Sequence, residues 1–460
     1  MTMRWVQLAL FSLVVLVQLW AWNSYASFQG LTFFIPSGFG DALPVYAVQW
    51  PVDGSDEEVM SRLGIAVFVL IQCVAVCVYS VVRRWRRSLS IALAVIAAVA
   101  INVSVARIRS EYAFIEPFNR TSLEYFGDVP RVGDDPLEFI RQYPTLSPTL
   151  SLHAGTHPPG GVVFLWLAAN VCGKSVVSAA WCAIVFGALG MLPAYWLATL
   201  TVGLGSARRL LPLYLVSPSL VLYGATSMDV VFLTFATTAL AALFWAMSGR
   251  GSARIVVAGG LYWLAAFMTF AVISLPLIAG FFALVTMHRQ PRSGARKLAR
   301  LALVGLAFVG FQSFAYVAVG YDFLHVAVVA MERDHVVMGV TGYESFALWK
   351  GYSVSNLAAF CFGSGVALAA CCMVNALTVP FRSNVLARGR ARIVVAVPLA
   401  LLSLSVSTLF SLETERVWLN VVPVMLCVAA STRDRLLWGI LIGLLGIQTL
   451  ATECMLYTYW

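Results

Sequence analysis

Charge is what this chain has least of. Only 11% of its 460 residues are Asp, Glu, Lys or Arg, whereas a soluble domain carries about 25%. That is too little to coat a water-facing surface, which excludes a soluble multidomain enzyme. A disordered chain is excluded as well, because 60% of the residues are hydrophobic and the mean hydropathy is +0.86. Metal-ligand spacing is missing. Cys73, Cys77, Cys361, Cys371, Cys372 and Cys427 fall inside apolar runs with no histidine at ligand distance, so neither a zinc site nor a structural disulfide is expected. The pair Cys371–Cys372 reads as small apolar filler in a helix. No Walker A loop, HExxH helix or GxSxG elbow occurs, so nothing supports a nucleotide-driven reaction. No repeat of fixed period is visible.

What the chain does have is apolar runs from end to end. They predict an all-α polytopic membrane protein of about 13 transmembrane helices, each needing about 20 residues. The expected spans are a first one ending at Trp22, then 63–82, 89–106, 176–202, 208–224, 229–247, 254–269, 271–287, 298–319, 355–380, 392–410, 417–431 and 435–453. The run 161–173 is too short to cross and is expected to be interfacial or re-entrant. The net charge of +9 sits in short tufts between runs, such as Arg83 to Arg87, Arg289 to Arg300 and Arg382 to Arg392. Such tufts mark cytoplasmic loops rather than a nucleic-acid surface. They place the segments TSMD, 321–352 and SLETER, and the long polar stretch 107–160, on the opposite face. Merging 254–287 into one helix kinked at Pro276 would invert every later tuft, so two short helices are expected there.

On that opposite face polar groups gather. GDVPRVGDD supplies Asp128, Asp134 and Asp135, which are either turn-capping acids or a general base. LHAGTHPPGG places His153 and His157 just before Pro158, Pro159 and Gly160. The prolines exclude helix up to that point and favour helix behind it, which sets two imidazoles beside a helix N-terminus suited to phosphate. Asp229 in TSMD is a cap of the following helix, a cavity-facing acid, or both. In SLETERVWLN, Arg416 stands at a helix head, where its charge opposes the dipole. Glu413, Glu415 or an anionic ligand must compensate it. Tyr321 and His335 lie in a segment whose aromatic and polar mixture suits either sugar stacking or a membrane-interface belt.

HPPG at 157–160, TSMD at 226–229 and ETERVW at 413–418 together resemble the multi-spanning glycosyltransferases of the C superfamily (GT-C). The likeness is to lipid-linked-sugar transferases related to protein mannosyltransferases and aminoarabinose transferases. It covers roughly residues 89–453, leaving 1–88 as two additional N-terminal helices and 89–460 as the catalytic domain, with its outer catalytic loop at 107–175. The resemblance implies a polyprenyl-phosphate sugar donor and a glycan, lipid or protein acceptor, acting at the outer face of the cytoplasmic (inner) membrane. It implies a loop carboxylate as base. Asp128 is the first choice. Glu111 stands nearest the preceding span, where the family keeps its acid, and Asp134–Asp135 is the acidic doublet of this loop. Arg416, His157 and His153 would hold the phosphate, with Asp229, Glu413, Glu415, Tyr321 and His335 toward the substrate. No cofactor is expected, with a divalent metal left open. The alternative is a transporter or flippase of a lipid-linked sugar or small solute. That alternative calls for ionisable groups at the bilayer midplane and for repeated halves, whereas here the ionisable groups gather at one face.

Overall fold

The computed structural model describes residues 9–16, 18, 55–338, 343–378, 389–408, 414–432 and 434–455. Most of the first expected span, the loop after it, Glu413 and the tuft 382–388 lie outside the described residues. Within them the protein is helical throughout. A long antiparallel start, α1 (Asp56–Val82) and α2 (Arg87–Ala106), leads into a layer of short elements: α3 (Val129–Val132), α4 (Pro136–Leu146), α5 (Leu152–Thr156) and α6 (Gly160–Cys172). The bundle continues with α7 (Val176–Leu189), α8 (Met191–Thr201), α9 (Leu204–Tyr214), α10 (Pro218–Leu222), α11 (Asp229–Ser248), α12 (Ala253–Met268), α13 (Ser274–Arg289) and α14 (Pro291–Val319). After α15 (Phe323–Met338) come α16 (Phe346–Ser364), α17 (Val366–Thr378), α18 (Gly389–Ser407), α19 (Thr414–Val417), α20 (Val422–Ala430) and α21 (Arg435–Met455). Among the described residues seven helices are long and apolar enough to cross a membrane, or eight if a bent pair counts as one span. Length and composition thus define a multi-pass membrane protein.

Local chemistry explains where helices depart from the apolar runs. α1 begins at Asp56, well before its run, because Ser55 and Glu58 form a capping box. The Glu58 N–H donates to Ser55 Oγ (3.4 Å), and the Ser55 N–H donates to Glu58 Oε2 (2.9 Å). The run 208–224 is not one helix. Ser217 before Pro218 is extended (φ −70°, ψ 120°), as a residue preceding proline prefers, and this splits α9 from α10. The run 254–287 does divide in two, at the extended Thr269 rather than at Pro276. α16 and α17 meet at 109° about Gly365, whose φ of 112° suits a residue without Cβ. The run 161–173 is the single short helix α6.

α11 is the axis of the bundle. Its buried alanines, Ala236, Ala239, Ala241, Ala242 and Ala246, let neighbouring helices approach closely. Its 20 residues span about 30 Å, the thickness of a bilayer's hydrocarbon core. Basic residues collect at its C-terminal end. Lys297 donates to the Met247 carbonyl (3.4 Å), Arg300 to the carbonyls of Ala246 and Gly251, and Arg254 to that of Trp245 (3.5 Å). They satisfy carbonyls that the last helical turn leaves open. At the other end of α11 stands Asp229, beneath the layer of short elements. The basic residues of 254–300 thus meet one end of α11, and Asp229 marks the other. One buried ion pair crosses the bundle on the loop side: Arg109, just past α2, meets Glu453 of α21 (Nε–Oε1 2.7 Å).

Candidate functional site

The site forms where three distant stretches meet over the N-terminus of α11. Asp229 is the first residue of that helix rather than its cap. Its carboxylate accepts from Ser227 Oγ and from Arg416 Nε, the latter at 2.8 Å. Both side chains are largely buried, Arg416 at 7% exposure and Asp229 at 15%. Arg416 is the third of the four residues of α19 rather than its head, and its charge is compensated by an acid 187 residues earlier in the chain. Glu415 belongs to α19 by its backbone, and Glu413 is not among the described residues.

The second stretch is α5 with His157. Its backbone rests on the preceding loop segment, the Leu152 N–H donating to the Ser122 carbonyl and the His153 N–H to that of Leu123, both at 3.0 Å. This register sets His153 Nδ1 3.0 Å from Glu124 Oε1, in a buried carboxylate–imidazole pair. The two prolines did not exclude helix as far back as expected. They restrict only the residue before them, and His157 is extended (φ −123°, ψ 167°) while α5 ends at Thr156. Behind Pro158–Pro159, α6 starts at Gly160. A Cβ there would lie 2.4 Å from the Phe267 carbonyl oxygen, so only glycine permits this approach to the end of α12.

His157 links the two stretches. Its ring stacks on Phe232 of α11 (centroids 5.8 Å, 20°), and Tyr125 packs edge-on to both rings (5.9 and 5.6 Å). Burial, followed by the neighbouring His153, holds His157 down to about 4, against the opposing pull of Asp229. It is therefore neutral at pH 7. Its Nδ1–H donates to the His153 carbonyl (3.0 Å), which leaves Nε2 as an acceptor. Burial, with the charges of Asp229 and Glu124, pushes the Tyr125 phenol well above its usual range, so it stays a donor.

This neutrality has a consequence for stability. In the unfolded chain His157 takes a proton below about pH 6.5, but the folded chain refuses it until about pH 4. Its contribution is fully present above the unfolded value and is lost as pH falls from there through the folded value, about 3 kcal/mol in all. His157→Gln is expected to flatten the pH dependence of the melting temperature across that window. An unchanged slope would mean that the folded protein accepts the proton.

The other sequence candidates have different partners or surroundings. Asp128 is buried in the loop layer, where Oδ2 accepts the Ser151 N–H (2.8 Å) and Oδ1 faces Arg131 (3.4 Å). Asp135 caps α4 through the N–H groups of Leu137 and Glu138. Asp134 is exposed, and Glu111 is exposed and paired with Arg107 at 3.2 Å. Tyr321 is buried against Phe267, and His335 is exposed on α15. Two residues of the cluster, Glu124 and Tyr125, were not singled out from sequence. Among the described residues no group of three or more His, Cys, Asp or Glu is arranged to hold a metal ion.

These features define an all-α multi-pass membrane protein with a buried polar site at one end of its central helix. No family model matches the chain, and no curated protein does. Among solved structures it is similar to the Archaeoglobus fulgidus oligosaccharyltransferase in complex with Zn and sulfate, at 14% identity and a TM-score of 0.46, over 79% of this chain and 53% of that one. The apo form of the same protein gives 12% identity and a TM-score of 0.45, over 81% and 57%. The chain spans little more than half the length of these structures.

Proposed function

We propose that this chain is a membrane glycosyltransferase that moves a sugar from a polyprenyl-phosphate donor to a hydroxyl of a glycan, lipid or protein acceptor. The observation that carries the reading is one buried cluster containing a carboxylate–imidazole pair (Glu124–His153), an oriented guanidinium (Arg416 on Asp229) and a neutral imidazole between them. It stands at the end of α11 opposite the basic residues. By the charge rule that end is extracytoplasmic, in the cytoplasmic membrane.

In this reading a loop carboxylate takes the acceptor's proton, the acceptor oxygen bonds to the anomeric carbon, and the bond from that carbon to phosphate breaks. Polyprenyl phosphate departs with the electron pair. Glu124 is the base: it belongs to the cluster, whereas both oxygens of Asp128 are engaged in the loop. Asp134, Asp135 and Glu111 stand behind these two. Arg416, fixed through Nε by Asp229, holds the leaving phosphate, and His153, whose Nδ1 faces Glu124 Oε1, orients that carboxylate. His157 moves from phosphate to hydroxyl recognition, because its one ring N–H is committed to a carbonyl. Asp229 acts through Arg416, with Glu413 and Glu415 toward the substrate side; Tyr321, buried against Phe267, and His335, exposed on α15, take no part in this reading. No step is routed through a cofactor.

The test uses purified protein in lipid nanodiscs with a panel of radiolabelled polyprenyl-phosphate sugars. Release of polyprenyl phosphate from one donor is the expected result. Intact donor moved across the bilayer of a proteoliposome, with none cleaved, would mark a flippase instead.

A further inference from the structure

α14 ends at Val319, and Gly320 turns the chain in the left-handed region (φ 81°). α15 then runs along the loop layer, packed on α4, α5 and the turn Ser147–Thr149. It is no span, since its 16 residues cover only about 24 Å and include Glu332, Arg333 and Asp334. One face is turned inward, with Val326 and Ala330 buried. On the same side Arg333 donates to the carbonyls of Ser147 and Leu150, the latter at 2.7 Å. Gly155 lies flat against the guanidinium, where any Cβ would overlap it. The next residue after Leu150, Ser151, is the one whose N–H binds Asp128, and His153 follows two positions on.

The opposite face is an apolar stripe. Leu324 is 73% exposed, Val328 51% and Met331 64%, at the i, i+4, i+7 spacing of one helix face. Exposed His325 and Glu332 flank it, and His335 follows Met331 on the same face, where it ends the apolar stripe. Just before the Gly320 turn, the last turns of α14 also expose apolar side chains, Phe314 and Val317, which in a membrane-spanning helix face lipid. An amphipathic helix with this pattern seats its apolar face about 5–10 Å into the boundary between headgroups and acyl chains.

We propose that α15 lies in the plane of the membrane surface on the loop side, with Leu324, Val328 and Met331 in lipid, and that this seat braces the loop 147–157 through Arg333. The occupant of the stripe is the bilayer itself. The inference holds whether or not the site transfers sugar.

The experiment replaces the nine native cysteines, introduces Val328→Cys, labels it with an environment-sensitive fluorophore, and reconstitutes the protein in phosphatidylcholine–phosphatidylglycerol vesicles. Quenching by a nitroxide placed near the lipid headgroup, stronger than by one near the chain end, is expected. Quenching by aqueous iodide alone overturns the seat in favour of water or a protein partner, and stronger quenching from the chain end overturns the in-plane orientation. Bracing is read by hydrogen exchange of the amides of residues 147–157. Arg333→Gln and Met331→Glu are each expected to speed it by about tenfold while α11 stays protected. Met331 is exposed, so its variant tests the coupling even where Arg333→Gln loosens the fold. Unchanged exchange in Met331→Glu overturns the coupling.

Discussion

Glu124→Gln is expected to lower sugar transfer by about 10²–10⁴-fold, the range general-base help supplies, with little change in donor KM. Glutamine keeps an oxygen to accept from His153 Nδ1, so the loop register survives and the proton acceptor is lost. Asp128→Asn is the matched control. Its carboxylate is occupied by the Ser151 N–H and Arg131, and an amide oxygen replaces the first of these contacts, so a loss within about tenfold is expected. Initial rates at saturating donor separate the two variants. If Asp128→Asn proves silent and Glu124→Gln active, the base is Asp128.

The second large effect is at Arg416. Arg416→Ala leaves Asp229 buried without its cation, which is expected to destabilise the protein by about 3–5 kcal/mol, as breaking one side of a buried pair does. It is also expected to raise donor KM by about 10–100-fold, the worth of hydrogen bonds to a charged group. Adding Asp229→Asn separates the two roles. The double variant should recover most of the stability, because no lone carboxylate remains, and none of the donor affinity. Thermal melting and donor titration of the same samples read both. Recovery of donor affinity in the double variant would leave Arg416 as the partner of Asp229 and nothing more.

The helices that hold the site were legible from the sequence wherever an uninterrupted apolar run set their length. The runs 89–106 and 229–247 correspond to α2 and α11 almost residue for residue. Breaks inside runs were not, because hydropathy averages over a Ser217–Pro218 step or a bend at Gly365 that backbone sterics decide. At the site, His153, His157, Asp229 and Arg416 could be picked out as polar groups stranded in an apolar chain. Their partners could not. Asp229 finds Arg416 across 187 residues, and Glu124 finds His153 across 29. Nothing local marks Glu124 among the many acids of its loop. What brings His153 to it is the docking of the Leu152 and His153 N–H groups on the carbonyls of Ser122 and Leu123, a contact between two irregular segments that hydropathy does not reveal.

In the proposed reaction Glu124, His153, His157, Asp229 and Arg416 surround one reacting sugar. This arrangement is tested most directly by a cryo-electron microscopy structure of the nanodisc-embedded protein with a non-hydrolysable polyprenyl-phosphonate sugar. The phosphonate is expected beside Arg416, the sugar between His157 and the Glu124–His153 pair, and the prenyl chain leaving into lipid. A headgroup bound at the basic end of α11, or midway along the bundle with no contact to these side chains, would contradict it.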